Sequence, residues 1–234
     1  MHKFFLSATL LISSLAMAED SWQISFAGGF ATLAADNMVL YVTEYEHDKA
    51  IQTNDDDWKS WTAQVGIGYV IPLFNNTQWF TTIEPQINGY FLQGNINGYV
   101  DRFYQYDIDC EDVDFQMDLI SRRVMFDLAL NVATWKNLSV YGIAGIGAAW
   151  NTISYHHDAD EFYLPVYIKG HTQTDFAYEF GGGLSYALLE NLSLTAEYLY
   201  TGFSDLSLDD SSGVESDDFS LNSQAVLFGF NFGF

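Results

Sequence analysis

This sequence predicts an all-β fold: an eight-stranded antiparallel up-and-down β-barrel that crosses a membrane. Three observations predict it. Apolar and polar residues alternate with a period of two along most of the chain, which is the periodicity of a strand. The face with large side chains is aromatic, while the opposite face is Gly, Ala, Ser, Thr, Gln and Glu. The connections between the alternating segments are short and long in turn.

The first element is not part of the fold. Lys3 precedes an apolar run from Phe4 to Leu15, and Ala16-Met17-Ala18 follows. A basic start, a short apolar run and a small-x-small site make a secretory signal peptide, residues 1–18. The run is too short to span a bilayer, which takes about 20 residues. The barrel domain is then expected over residues 19–234, beginning at Glu19.

The strands follow in order. Trp22, Ile24, Phe26 and Phe30 alternate with Gln23, Ser25, Ala27 and Gly29. Trp61, Val65, Ile67 and Tyr69 alternate with Thr62, Gln64, Gly66 and Gly68. Ile83, Ile87 and Phe91 face away from Glu84, Gln86 and Asn88. Val124, Phe126, Leu128 and Leu130 alternate with Arg123, Asp127 and Asn131. Segment 138–153 is apolar throughout, so its two faces stay ambiguous. Phe176, Tyr178, Phe180 and Leu184 oppose Asp175, Glu179, Gly181 and Gly183. Leu192, Leu194, Ala196 and Tyr198 oppose Ser193, Thr195 and Glu197. The chain closes with Val226, Phe228, Phe230, Phe232 and Phe234 against Ala225, Gly229, Asn231 and Gly233. Short connections are expected near 72–78, 134–138 and 188–192, and long ones near 34–60, 94–118, 154–174 and 204–220. Short turns at one end and long connections at the other are the asymmetry of an outer-membrane barrel.

Which face is bulky decides between a soluble and a membrane barrel. A soluble barrel points its large apolar residues inward. An eight-stranded barrel has an interior just wide enough for its own side chains, so small polar residues suit the inside. The aromatic face then meets lipid. A closed barrel leaves no backbone group unpaired there. Trp22, Trp61, Trp79, Trp135 and Trp150 fall near strand ends, where interfacial girdles form.

Composition excludes other classes. With 8 Lys+Arg against 31 Asp+Glu, the net charge of −23 argues against nucleic acid as a partner, since phosphates need a basic face. A chain that is 49% hydrophobic and 17% aromatic is not a disordered acidic tail. One cysteine, Cys110, excludes an internal disulfide framework; alone, it could bridge two molecules.

The terminal AVLFGFNFGF, with Phe228, Phe230, Phe232 and Phe234 at every second position, resembles the C-terminal signature of Gram-negative outer-membrane barrels. The stretch FGGGLSYALLENLSLTAEYLYTGF at 180–203 resembles the penultimate hairpin of small OmpA-like and opacity-type barrels. The resemblance implies residence in the outer membrane, with long loops extracellular and both termini periplasmic. It also implies that the barrel-assembly machinery reads the terminal phenylalanines. It fixes fold far better than function, since those families hold adhesins, structural barrels and narrow pores.

The candidate sites are polar clusters on this scaffold. Glu84, Asp127, Glu179 and Glu197 with Arg123 form an expected lumen network, because unpaired carboxylates are costly to bury. Most acidic residues fall in or beside the long connections. Asp107, Asp109 and Glu111 stand on one side of an extended chain and suit Ca²⁺ or Mg²⁺, but no loop has an EF-hand spacing. Weak collective binding of these ions at the outer loops is the expectation, with no resident cofactor. His156-His157-Asp158-Ala159-Asp160 is the nearest thing to a catalytic cluster; His171 has Thr172 beside it, but no His-x-Ser pair occurs to supply a nucleophile and its base. The leading function is a non-enzymatic surface barrel whose acidic loops contact lipopolysaccharide or a host ligand. A narrow gated pore for small solutes is the alternative, and a rim-located hydrolase is third.

Overall fold

The structure, a computed structural model, describes residues 21–36, 39–43, 46–52, 60–73, 78–104, 113–157, 166–207, 215–216 and 218–234. Its strands in chain order are β1 (Ser21–Asp36), β2 (Val39–Thr43), β3 (Glu46–Gln52), β4 (Ser60–Pro72), β5 (Thr82–Tyr104) and β6 (Val113–Trp135). They continue with β7 (Leu138–His157), β8 (Val166–Leu189), β9 (Leu192–Leu206), β10 (Glu215–Ser216) and β11 (Phe219–Gly233). Eight of them close a ring. β1 pairs with β4, β4 with β5, and so on through β6, β7, β8 and β9 to β11, which pairs back to β1, every pair antiparallel.

Closure is sewn at the last residue. Phe234 donates its N–H to the Trp22 carbonyl at 2.9 Å, and the Trp22 N–H returns to the Phe234 carbonyl at 3.2 Å. A ring without a free edge satisfies every ladder group, which an apolar surround demands. The two-residue turn between β6 and β7 puts Lys136 in the left-handed region at φ 54°, as primed hairpin turns require at their first position. Before β5, Trp79 makes an antiparallel bridge to Ala133 at the end of β6.

The outer surface carries a belt of exposed apolar residues. Phe26, Phe30, Val65, Ile87, Phe126, Ile146, Phe180, Leu194 and Phe228 all point out. Trp22, Trp61, Trp79, Trp135 and Trp150 are exposed at or near its rims. Rings meet across strands there, as with Trp61 and Phe91 (centroids 5.0 Å apart) and Trp22 and Tyr69 (5.1 Å). Tyr141, Ile143, Ala149 and Asn151 of β7 face in, while Val140, Ile146 and Trp150 face out, which settles the ambiguous segment.

Two expectations need correction. The first concerns the long connections. β5 and β6 pair continuously from Ile83↔Leu130 to Val100↔Val113, so much of 94–118 is strand rather than loop. β7 likewise runs to His157 and β8 starts at Val166 within 154–174. Within 34–60, β2 and β3 form a hairpin that pairs with β5 above the point where β4 stops. There the register sets Asp48 against Arg102 and Lys49 against Asp101. β10 adds to β2 from the last connection. The second correction concerns the interior, which is not small and polar throughout. Towards the long-connection end, Leu33, Leu92, Ile96, Met117, Leu119, Ile153, Phe203 and Leu221 are buried inside it. Beyond the lipid belt the surround is water, so burial drives apolar residues inward, as in a soluble barrel.

Candidate functional site

The interior below that apolar zone is polar. β6 brings in Arg123 and Asp127, β5 brings Gln86, Asn88 and Tyr90, and β8 brings Glu179. Register places Tyr90 opposite Arg123 and Gln86 opposite Asp127. The Arg123 guanidinium lies over the Tyr90 ring at 4.4 Å from its centroid, a cation–π contact. The Tyr90 hydroxyl donates to Glu179 Oε1 at 2.7 Å. Arg123 Nε lies 3.7 Å from Glu179 Oε2, with both side chains out of water. Asn88 Nδ2 donates to Asp127 Oδ2 at 2.6 Å and to Gln86 Oε1 at 2.9 Å.

A second cluster lies nearer the short-turn end. Tyr141 of β7 donates its hydroxyl to Glu197 Oε1 of β9 at 2.7 Å, and Glu84 of β5 lies in the same interior with its carboxylate against Gly68 of β4. Glycines on neighbouring strands make room for these acids. Gly145 stands opposite Asp127 in register, and a Cβ there would overlap Asp127 Oδ1. Gly68 gives Glu84 the same space. The acids thus lie flat along the barrel wall.

The five expected lumen residues therefore face one interior, and Arg123 reaches Glu179 directly. Asp175 belongs inside as well, on β8, where Asn151 Nδ2 donates to its Oδ2 at 2.9 Å. Sequence reasoning missed Tyr90 and Tyr141, although both sit at inward parity on their strands. Size hid Tyr90, because a narrow interior was expected to hold small residues, and Tyr141 lay in the segment whose faces stayed ambiguous. The Tyr141 ring fits because Gly183 faces it.

Asp107, Asp109, Glu111 and Cys110 lie outside the described residues, as do Asp158 and Asp160 and the leader 1–18. Among the described residues no group of three or more His, Cys, Asp or Glu could hold a metal ion. His156 is on the outward side of β7, with Gln116 and Tyr167 as its register neighbours, and neither is a nucleophile paired to a base. Phe228, Phe230 and Phe232 point outward from β11, and Phe234, just after it, is exposed as well.

The chain has no match among curated proteins. Among solved structures, outer membrane protease OmpT from Escherichia coli is similar at 8% identity and a TM-score of 0.52, covering 92% of this chain and 97% of that one. Neisserial surface protein A aligns at 14% identity and a TM-score of 0.39, over 91% and 97% of the two chains. Ail, the attachment invasion locus protein of Yersinia pestis, aligns at 15% identity and a TM-score of 0.36, over 90% and 98%. Likeness at these identities concerns the fold alone. The family described as outer membrane protein beta-barrel domain matches residues 4–234. Nearly the whole chain is thus accounted for: it belongs to that family, and its place is the outer membrane of a Gram-negative bacterium.

Proposed function

We propose that this chain is a non-catalytic surface barrel that acts through the acidic extracellular ends of its strands. One observation carries the reading: the wall continues as paired strand beyond the lipid belt and presents carboxylates outward, with Asp114 and Asp118 exposed on β6. A paired wall holds such groups in fixed positions, unlike a free loop. Its partners are lipid and lipopolysaccharide in the membrane, and a basic or cation-bridged surface outside. The terminal Phe228, Phe230, Phe232 and Phe234 serve as the signal read by the assembly machinery, and residues 1–18 direct export and are removed.

Crowded carboxylates repel, and divalent cations relieve the repulsion. Calorimetric titration of the purified barrel in lipopolysaccharide-containing vesicles tests this. Ca²⁺ or Mg²⁺ is expected to bind weakly and collectively, with strong suppression by salt. No single Asp→Asn replacement should abolish it. One tight saturable site removed by Asp109→Asn would overturn the reading and make the 107–111 segment a dedicated site. The hydrolase alternative lacks support, since His156 faces outward with no nucleophile in register. The gated-pore alternative has the polar interior in its favour and the apolar packing above it against it.

A further inference from the structure

We infer that permeation through this barrel is blocked by an apolar septum across its extracellular half, and not by the Arg123–Glu179 ion pair beneath it. The septum is Leu33, Leu92, Leu119, Ile153, Phe203 and Leu221, one residue from each of β1, β5, β6, β7, β9 and β11. All six belong to one packed cluster and are buried. Each lies on the extracellular side of the polar inward residues of its own strand. Leu92 follows Tyr90, Leu119 precedes Arg123 on a descending strand, and Phe203 follows Glu197. The two zones meet where the Arg123 guanidinium comes within 5.9 Å of the Phe203 ring centroid.

An ion pair in a polar lumen is a poor seal. Its partners can be hydrated, and water threads between charged groups. A constriction lined by hydrocarbon excludes water outright, and hydrophobic constrictions gate by dewetting. The packed polar interior is therefore cut off from the extracellular side by the septum. Its charge balance sets what would pass if the septum were thinned. Among the described residues Glu84, Asp127, Asp175, Glu179 and Glu197 share the interior with one arginine, Arg123, and acidic linings select cations. A breached barrel should thus conduct small cations in preference to anions.

This inference does not depend on what the extracellular surface contacts. Planar-bilayer recording of the full chain tests it, with folding confirmed by SDS resistance and a mobility shift on heating. The wild type and Arg123→Met should both stay closed. The double variant Leu119→Ser with Phe203→Ser should open, with a reversal potential in a KCl gradient displaced towards that of K⁺. Conduction by folded Arg123→Met, a folded double variant that stays closed, or anion preference would overturn the proposal. A second measurement leaves the septum intact. In a Cys110→Ser background, Ser185→Cys places a thiol on the inward side of β8 near the periplasmic mouth. A membrane-impermeant thiol reagent should label it from the periplasmic side alone, and labelling from the extracellular side would also sink the idea.

Discussion

Arg123 carries the positive charge in the membrane-embedded lumen among the described residues, and it is 3% exposed. Its guanidinium stacks on Tyr90 and faces Glu179, which Tyr90 also holds, so three strands' side chains depend on one another. Removing one member of a buried ion pair leaves the other charge uncompensated, at a cost of about 3–5 kcal/mol. Arg123→Ala should therefore lower stability by that order in denaturant unfolding from lipid vesicles. Adding Glu179→Gln should recover part of the loss, since the stranded carboxylate is then gone. If the double variant is no more stable than Arg123→Ala, the pair is not the unit described here.

Single strands record the change of surroundings along their length. In β6 the outward residues run from Asp114, Gln116 and Asp118 to Val124, Phe126 and Leu128, while the inward ones run from Phe115, Met117 and Leu119 to Arg123 and Asp127. The pattern inverts without a slip in parity, because the solvent outside changes from water to hydrocarbon. β11 allows the cleanest test of where that change falls. Phe228 points outward within the belt, whereas Ser220 points outward near the extracellular end of the same strand. Phe228→Arg should cost about 2–4 kcal/mol, the depth-dependent penalty for a cation near the midplane, and Ser220→Arg close to nothing. Equal unfolding midpoints for the two variants would mean that the belt has been misplaced on β11. A slip of one residue would exchange the faces of the whole strand.

The whole molecule is one closed ring with a taller extracellular wall on the side of β5, β6, β7 and β8. Closure by the Trp22–Phe234 backbone pair means that no ladder in the ring can peel from an edge. Such a barrel should resist SDS at room temperature and shift its mobility only after boiling. A chain that runs identically with and without heating would contradict the closed ring.

Much of this was legible in the sequence, and the reason is physical. Strand parity within the lipid belt has a single solution, because hydrocarbon outside and a narrow interior act on every residue in opposite senses. Phe26, Ile87, Phe126, Phe180 and Phe228 could therefore be assigned outward from alternation alone. The inward parity of Arg123, Asp127 and Glu179 followed with them. Segment 138–153 could not be assigned, since Gly, Ala and Ile are acceptable on either face when the interior neighbours are unknown. Its neighbours β6 and β8 decided it through register. The extracellular wall was hidden for a different reason. There both surroundings resemble those of an ordinary loop: acidic residues outside suggest solvent, and scattered apolar residues inside carry no run long enough to stand out. Only pairing across the chain, β3 on β5 and β5 on β6, makes them strands, and only packing from six strands brings four isolated leucines, an isoleucine and a phenylalanine together. Local alternation reports which medium each side chain meets, while long-range pairing decides which side chains meet one another.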